Sequence, residues 1–128
     1  MADTPGVVTF ELPWPLAILS PNARPHQMPL YRAKKKAKRI GGEAVIVAGR
    51  PRFPAYTPLA VTLTFHPKNR NAPDEDNAIA SLKAYLDGIA GTLGVDDKLF
   101  RLQKSIMAEP VKGGRVLVSV QVQEPPAQ

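Results

Sequence analysis

Cysteine is absent from the 128 residues, so neither a disulfide nor a thiolate metal site can form. Histidine is nearly absent: His26 and His66 are the only two. Any metal must be held by these or by oxygen ligands, and an oxygen set points to magnesium or manganese rather than zinc. No apolar run approaches the ~20 residues of a spanning helix. No basic region followed by an apolar run opens the chain as a signal peptide would. These absences predict a cytoplasmic protein with no membrane partner. Acids are scarce relative to bases: 11 Asp and Glu against 17 Lys and Arg give a net charge of +6 and a pI of about 9.8. That balance favours a polyanionic partner, nucleic acid first.

The apolar content, 44%, is enough for one core, and the length suits a single domain over residues 1–128, with 1–6 and 124–128 as tails. Val7 to Leu12 is β-branched and aromatic and reads as a strand, halted at Pro13-Trp14-Pro15. Trp14 reads as a core or loop anchor. A loop of turn formers, Ser20 to His26, contains Asn22 and Arg24. From Pro29 the chain turns basic, with Arg32, Lys34, Lys35, Lys36, Lys38 and Arg39 round an apolar stripe of Leu30, Ala33, Ala37 and Ile40. This is a helix whose charges suit phosphate contact as well as solvent. Gly41-Gly42 either ends it or lets it resume through Val47.

Leu59 to Phe65 alternates as a strand, with Leu59, Val61, Leu63 and Phe65 on one face. A second helix follows Asp76, carrying Ile79, Leu82, Leu86, Ile89 and Leu93 as its apolar stripe and Gly94 as its C-cap. At ~100° per residue Asp76, Ala80, Lys83 and Asp87 share a line beside that stripe and face a cleft together. Phe100 to Ala108 reads as a strand, and Val116 to Val122 as an edge or half-buried one. Lys112-Gly113-Gly114 then joins these two strands as an antiparallel hairpin. The order β-α-β-α-β-β predicts an α+β domain, a two-layer sandwich with two helices packed on a mixed sheet of about four strands.

The chemistry lies in the acids between Pro73 and Asp97. Asp74 and Asp76, spaced i, i+2 across an extended loop, point the same way and can share one ion. Asp97 adds a third ligand if the helix exit folds back beside them. A magnesium ion there polarises a phosphate oxygen and acidifies a water, while Lys83 stabilises the developing charge. The same residues have a plainer reading: Asp76 or Asn77 as N-cap, Asp74 and Glu75 favoured by the helix dipole, Asp96-Asp97 as a turn, and Lys83 paired with Asp87. His66, at a strand end, reads as structural.

Leu12-Pro13-Trp14-Pro15, Asn22, the basic helix, His66-Pro67, Asp74-x-Asp76-Asn77, Lys83-Ala84, Asp87, Asp96-Asp97 and Lys112-Gly113-Gly114-Arg115 occur here in that order. In this the chain resembles the RusA family of Holliday-junction resolvases, found in bacteria and often carried by prophages. The resemblance covers most of the chain. It implies a homodimeric endonuclease of DNA recombination and repair that uses magnesium or manganese. Such an enzyme binds four-way DNA junctions, takes no small-molecule substrate and makes paired symmetric nicks. By motif position Asp74, Asp76 and Asp97 match the metal-binding aspartates and Lys83 the catalytic lysine. DNA contacts are then expected from Asn22, Arg24, the basic helix, Lys68, Arg70 and Lys112. Three departures stand out. The arginine run that precedes the acids is diluted here to Lys68-Asn69-Arg70-Asn71. Lys83 lies one helical turn further from Asp76 than in the family's familiar form, and Glu75 replaces an apolar residue between the aspartates. The rival reading is a non-catalytic nucleic-acid-binding protein whose acidic loop is only a helix cap.

Overall fold

Hydrophobic alternation at period two builds a four-stranded sheet, and the helices cover one of its faces. The computed structural model describes residues 6–20 and 27–123. Its elements are β1 (Val8–Pro13), α1 (Gln27–Val47), β2 (Leu59–His66), α2 (Glu75–Ser81), α3 (Lys83–Leu93), β3 (Phe100–Met107) and β4 (Arg115–Val122). Short 3₁₀ turns at Ala17–Leu19 and Asp97–Leu99 precede α1 and β3. The expected α+β architecture with a mixed four-stranded sheet is present.

The strand order is β1-β4-β2-β3. Here the structure corrects the sequence reading. β3 and β4 do not form a hairpin; β4 inserts between β1 and β2, antiparallel to both. β3 lies on the far side of β2 and parallel to it. A parallel pair needs a crossover, and α2 with α3 supplies it. β4 is thus central, which explains why Val116, Val118 and Val120 are wholly buried. β3 is an edge strand, and its register slips between Val61 and Thr62 so that Gln103 has no partner. That bulge, with Arg101 and Lys104, protects an open edge from further pairing.

The core is the helical face of the sheet: Phe10, Leu12, Leu59, Val61, Leu63, Phe65 and the β4 valines pack against Val45, Leu82, Tyr85 and Ile89. Helix α1 runs unbroken through Gly41-Gly42. These glycines sit where α1 and α3 approach most closely. A Cβ on Gly41 would overlap the Tyr85 carbonyl, and one on Gly88 would overlap the Lys38 carbonyl. Low helix propensity is outweighed by packing that only glycine permits.

The expected second helix is divided at Leu82. The buried Ser81 hydroxyl donates to the Ala78 carbonyl at 2.7 Å, the acceptor that Leu82 would use in a regular α-helix. Leu82 N–H turns instead to the Ile79 carbonyl at 3.1 Å. One tight turn therefore separates α2 from α3 and shifts the phase of everything after it.

Candidate active site

The crossover from β2 to β3 carries nearly all the acids. Asp74 is the N-cap residue of α2, with extended ψ of 147° but no capping hydrogen bond from its side chain. Glu75 and Asp76 form the first turn, and all three acids are exposed. The plain capping role accounts for where Asp74 sits, but its carboxylate is not used for it.

At the far end α3 stops in a left-handed Gly94, φ 77°, with Val95 N–H bonded to the Ala90 carbonyl at 3.0 Å. This closure reverses the chain. Asp96 then accepts a hydrogen bond from Lys98 N–H at 2.9 Å and nucleates the 3₁₀ turn that begins with Asp97. That hydrogen bond holds the exposed Asp96 carboxyl below the ordinary carboxylate range. Asp96 therefore acts as a turn cap, which leaves Asp97 aimed back at α3.

There Asp97 meets Asp87. A cleft of about 200 Å³ between the helices and β2–β3 is lined by Lys83, Asp87 and Asp97 over an apolar floor that includes Val61, Leu86 and Leu102. Partial burial pushes the Asp87 carboxyl up, and hydrogen bonding and repulsion from Asp97 push it further. Lys83 and Lys38 pull it back. An adjoining cleft of about 290 Å³ joins Lys34 and Lys38 of α1 to Lys83 and Asp87 of α3.

The structure thus sorts the sequence candidates. Lys83 and Asp87 share a face and line both clefts, and Ala80 joins them in the second, as the helical line predicts; Asp76, one turn before Ala80, lines neither. Asp74 and Asp76 open the crossover and Asp97 closes it, with α2 and α3 between them in the chain. Asp76 precedes Lys83 by seven residues, about 10 Å along a helix at ~1.5 Å per residue. Among the described residues no three Asp, Glu or His side chains form a group that could hold a metal ion. Asp97 is brought to Asp87 and Lys83 rather than to Asp74 and Asp76. The Asp87–Asp97 pair has donor chemistry that fits magnesium, which takes one or two carboxylates and fills its shell with water and substrate phosphate.

The cations divide as well. Lys34 and Lys38 turn toward α3, whereas Arg32, Lys35, Lys36 and Arg39 line a groove of about 490 Å³ on another side of α1. Arg39 is paired there with Glu43 at 3.7 Å. Lys68 and Arg70 are exposed in the loop before α2, and Lys112 borders a cleft with Pro13, Gly114 and Arg115. Asn22 and Arg24, with His26, lie outside the described residues. His66 is structural, its Nδ1 donating to the Glu109 carbonyl at 2.9 Å.

Sequence reasoning did not count Trp14, Asn71 or Asn77 as site residues, yet all three line a larger cleft at the start of α2. Asn77 is the signal that was there to be used, since it directly follows the acids in the Asp-x-Asp-Asn motif.

No family model matches the sequence. An uncharacterised protein of Xylella fastidiosa (strain Temecula1) is 36% identical over 125 residues, a match spanning 94% of this chain and 80% of the relative, and the chain belongs to that protein's family.

Proposed function

We propose that the chain is a magnesium- or manganese-dependent endodeoxyribonuclease of the RusA type, acting as a homodimer on four-way or other branched DNA. The observation that carries this reading is the meeting of Lys83, Asp87 and Asp97 beside the inward lysines of α1. A basic protein that keeps two carboxylates in contact pays a repulsive cost that a divalent cation removes.

Asp97 and Asp87 supply the carboxylate oxygens for that cation. Bound there, it provides Lewis acidity toward a phosphate oxygen and a more acidic water. Lys83 donates to the phosphate oxygens as charge develops on them. Lys34 and Lys38 hold the strand through its phosphates, and the outer cations of α1 contact the neighbouring duplex arm. The resemblance assigns Asp74 and Asp76 to the same chemistry from the start of α2. A two-fold dimer would present two such sites to a junction of matching symmetry.

The test is a labelled synthetic four-way junction, with linear duplex as control and with or without magnesium. Paired nicks at the branch are expected only with the metal, lost in Asp97→Asn and Asp76→Asn while junction binding persists. Binding with no nicking in magnesium or manganese would instead establish a non-catalytic DNA-binding protein.

A further inference from the structure

We propose that the cleft between Trp14 and the start of α2 receives one unpaired nucleotide of a branched DNA, its base against Trp14 and its polar edge and phosphate at Asn71, Asn77 and Lys68. The proposal rests on the nuclease reading for its substrate, and extends it to how a branch is told from a plain duplex.

The cleft measures about 530 Å³, within the ~300–1,000 Å³ of small-molecule sites. Its lining combines the apolar Trp14, Pro15 and Leu16 with the polar Lys68, Asn71 and Asn77. An aromatic side chain, amides and one ammonium in a single cleft suit a nucleobase, which offers a π-face, hydrogen-bonding edges and an attached phosphate. Among the described residues, the side chains of Lys68, Asn71 and Asn77 have no hydrogen-bond or ion-pair partner. Asn71 is nonetheless fixed in place, because its backbone N–H donates to Asn69 Oδ1 at 2.8 Å. Asn77 is half-buried in the first turn of α2.

The aromatic wall is held before any ligand arrives. Trp14 meets the fully buried Phe65 edge-on, with ring centroids 6.0 Å apart and planes at 70°. Tyr85 Oη donates to the Pro13 carbonyl at 3.0 Å, fixing the residue before it. Gly114, at φ 71°, lets its turn lie on the indole: a Cβ there would stand 3.1 Å from Trp14 Cβ and 3.3 Å from Lys68 N. The turn is tied to the loop by Val111 N–H donating to the Pro67 carbonyl at 2.9 Å. A rigid stacking surface loses little freedom on binding.

The position gives the cleft its use. Pro73 and Asn77 both line it, and Asp74 to Asp76 lie between them in the chain. A strand whose base sits on Trp14 therefore passes the acids at the start of α2. A continuous duplex offers no exposed base face, whereas a branch point unstacks nucleotides at little cost.

Trp14 is the only tryptophan, so its fluorescence reports this cleft alone. Protein in EDTA would be titrated with a single-stranded oligonucleotide, a four-way junction and a linear duplex, each labelled so that anisotropy records binding independently. Saturable quenching by the first two, with none from bound duplex, is the expected result. Asn77→Ala and Lys68→Ala should each weaken junction binding about tenfold relative to duplex, without change in Tm. Trp14→Phe should retain branch preference and Trp14→Leu lose it. Junction binding that leaves Trp14 fluorescence unmoved would overturn the proposal, as would full branch preference in Asn77→Ala. Nicking in magnesium alongside an unquenched Trp14 removes the pocket and leaves the nuclease. Quenching without nicking keeps the pocket and removes the nuclease. Absence of all DNA binding removes both.

Discussion

The Asp87 carboxyl faces the Asp97 carboxyl across the turn that closes α3, and partial burial together with that contact holds Asp87 above the usual carboxylate range. The sign of the consequence follows from linkage. A carboxyl whose folded pKa is raised favours the folded state while protonated, and that advantage is lost as pH rises through the folded value. Asp87→Asn should therefore match the native protein at pH below the ordinary carboxylate range and become the more stable of the two toward neutrality. Thermal melts across pH 3–7 measure this, and magnesium should narrow the gap at neutral pH by stabilising only the native protein. Asp96 has the opposite sign: its hydrogen bond from Lys98 favours folding above the ordinary carboxylate pKa and is lost on acidification. A gap that did not change with pH would show that the two carboxyls are not in contact in solution.

Two glycines of neighbouring helical turns should respond in opposite directions. Gly88 lies against the Lys38 backbone, so Gly88→Ala must separate α1 from α3, at a cost of about 1–3 kcal/mol for overpacking. Gly91 has open space where a Cβ would go, and Gly91→Ala should stabilise by about 0.4–1 kcal/mol through the unfolded chain. Urea denaturation with unchanged m-values reads both.

Tyr85 ties the helical layer to the end of β1. Its buried hydroxyl donates to the Pro13 carbonyl, and burial pushes its own pKa up. Tyr85→Phe removes one donor and leaves that carbonyl without it, for an expected loss of about 1 kcal/mol. Because Pro13 adjoins Trp14, the variant should also shift the Trp14 emission maximum, a readout that a purely local loss would not move.

Periodicity made the strands legible, since Leu59 to Phe65 and Val116 to Val122 each declare a buried face by alternation alone. It could not give their neighbours. Lys112-Gly113-Gly114 is a real turn, with Gly114 N–H bonded to the Val111 carbonyl at 2.9 Å, but β4 leaves it to pair with β1 and β2. The clue was in the composition of β3: Arg101, Gln103 and Lys104 suit an exposed edge, whereas the unbroken Val116-Leu117-Val118 suits a strand flanked on both sides. The Gly41-Gly42 pair was ambiguous for the same reason, because a close helix crossing is a property of two segments. At the site, Lys83 with Asp87 followed from helical spacing, yet the break at Leu82 depends on one serine hydroxyl choosing a backbone carbonyl. No hydrophobic pattern encodes that choice.

The two faces of α1 should differ in what they contribute to DNA binding. Lys34 and Lys38 border the cleft with Lys83, whereas Lys35 and Lys36 lie on the outer groove. Replacing either pair by alanine should reduce the slope of log K against log salt by about 2, since each lost phosphate contact removes ~0.9. Only the Lys34/Lys38 pair should also slow nicking at saturating junction, because only those lysines neighbour the reacting phosphate in this proposal. Equal effects of the two pairs on the nicking rate would place the scissile phosphate elsewhere.

The acid set can be divided by substituting one carboxylate at a time. Asp97 is aimed into the cleft by the Asp96-capped turn, so Asp97→Asn should abolish nicking with the fold intact. Asp87 is the other carboxylate offered to the cation, so Asp87→Asn should likewise abolish nicking in magnesium while junction binding persists. Asp74→Asn and Asp76→Asn act from the other end of the crossover. If both abolish manganese binding by calorimetry as completely as Asp97→Asn does, the acids of α2 and of the Asp97 turn serve one ion. Since no three acids form a metal-holding group among the described residues of one chain, that ion would have to be completed by movement of the crossover or by a second copy of the chain. Mixing Asp76→Asn protein with Asp97→Asn protein separates these cases. Complementation would restore about half of the sites in a mixed dimer if each ion were shared between chains, and none if each chain built its own.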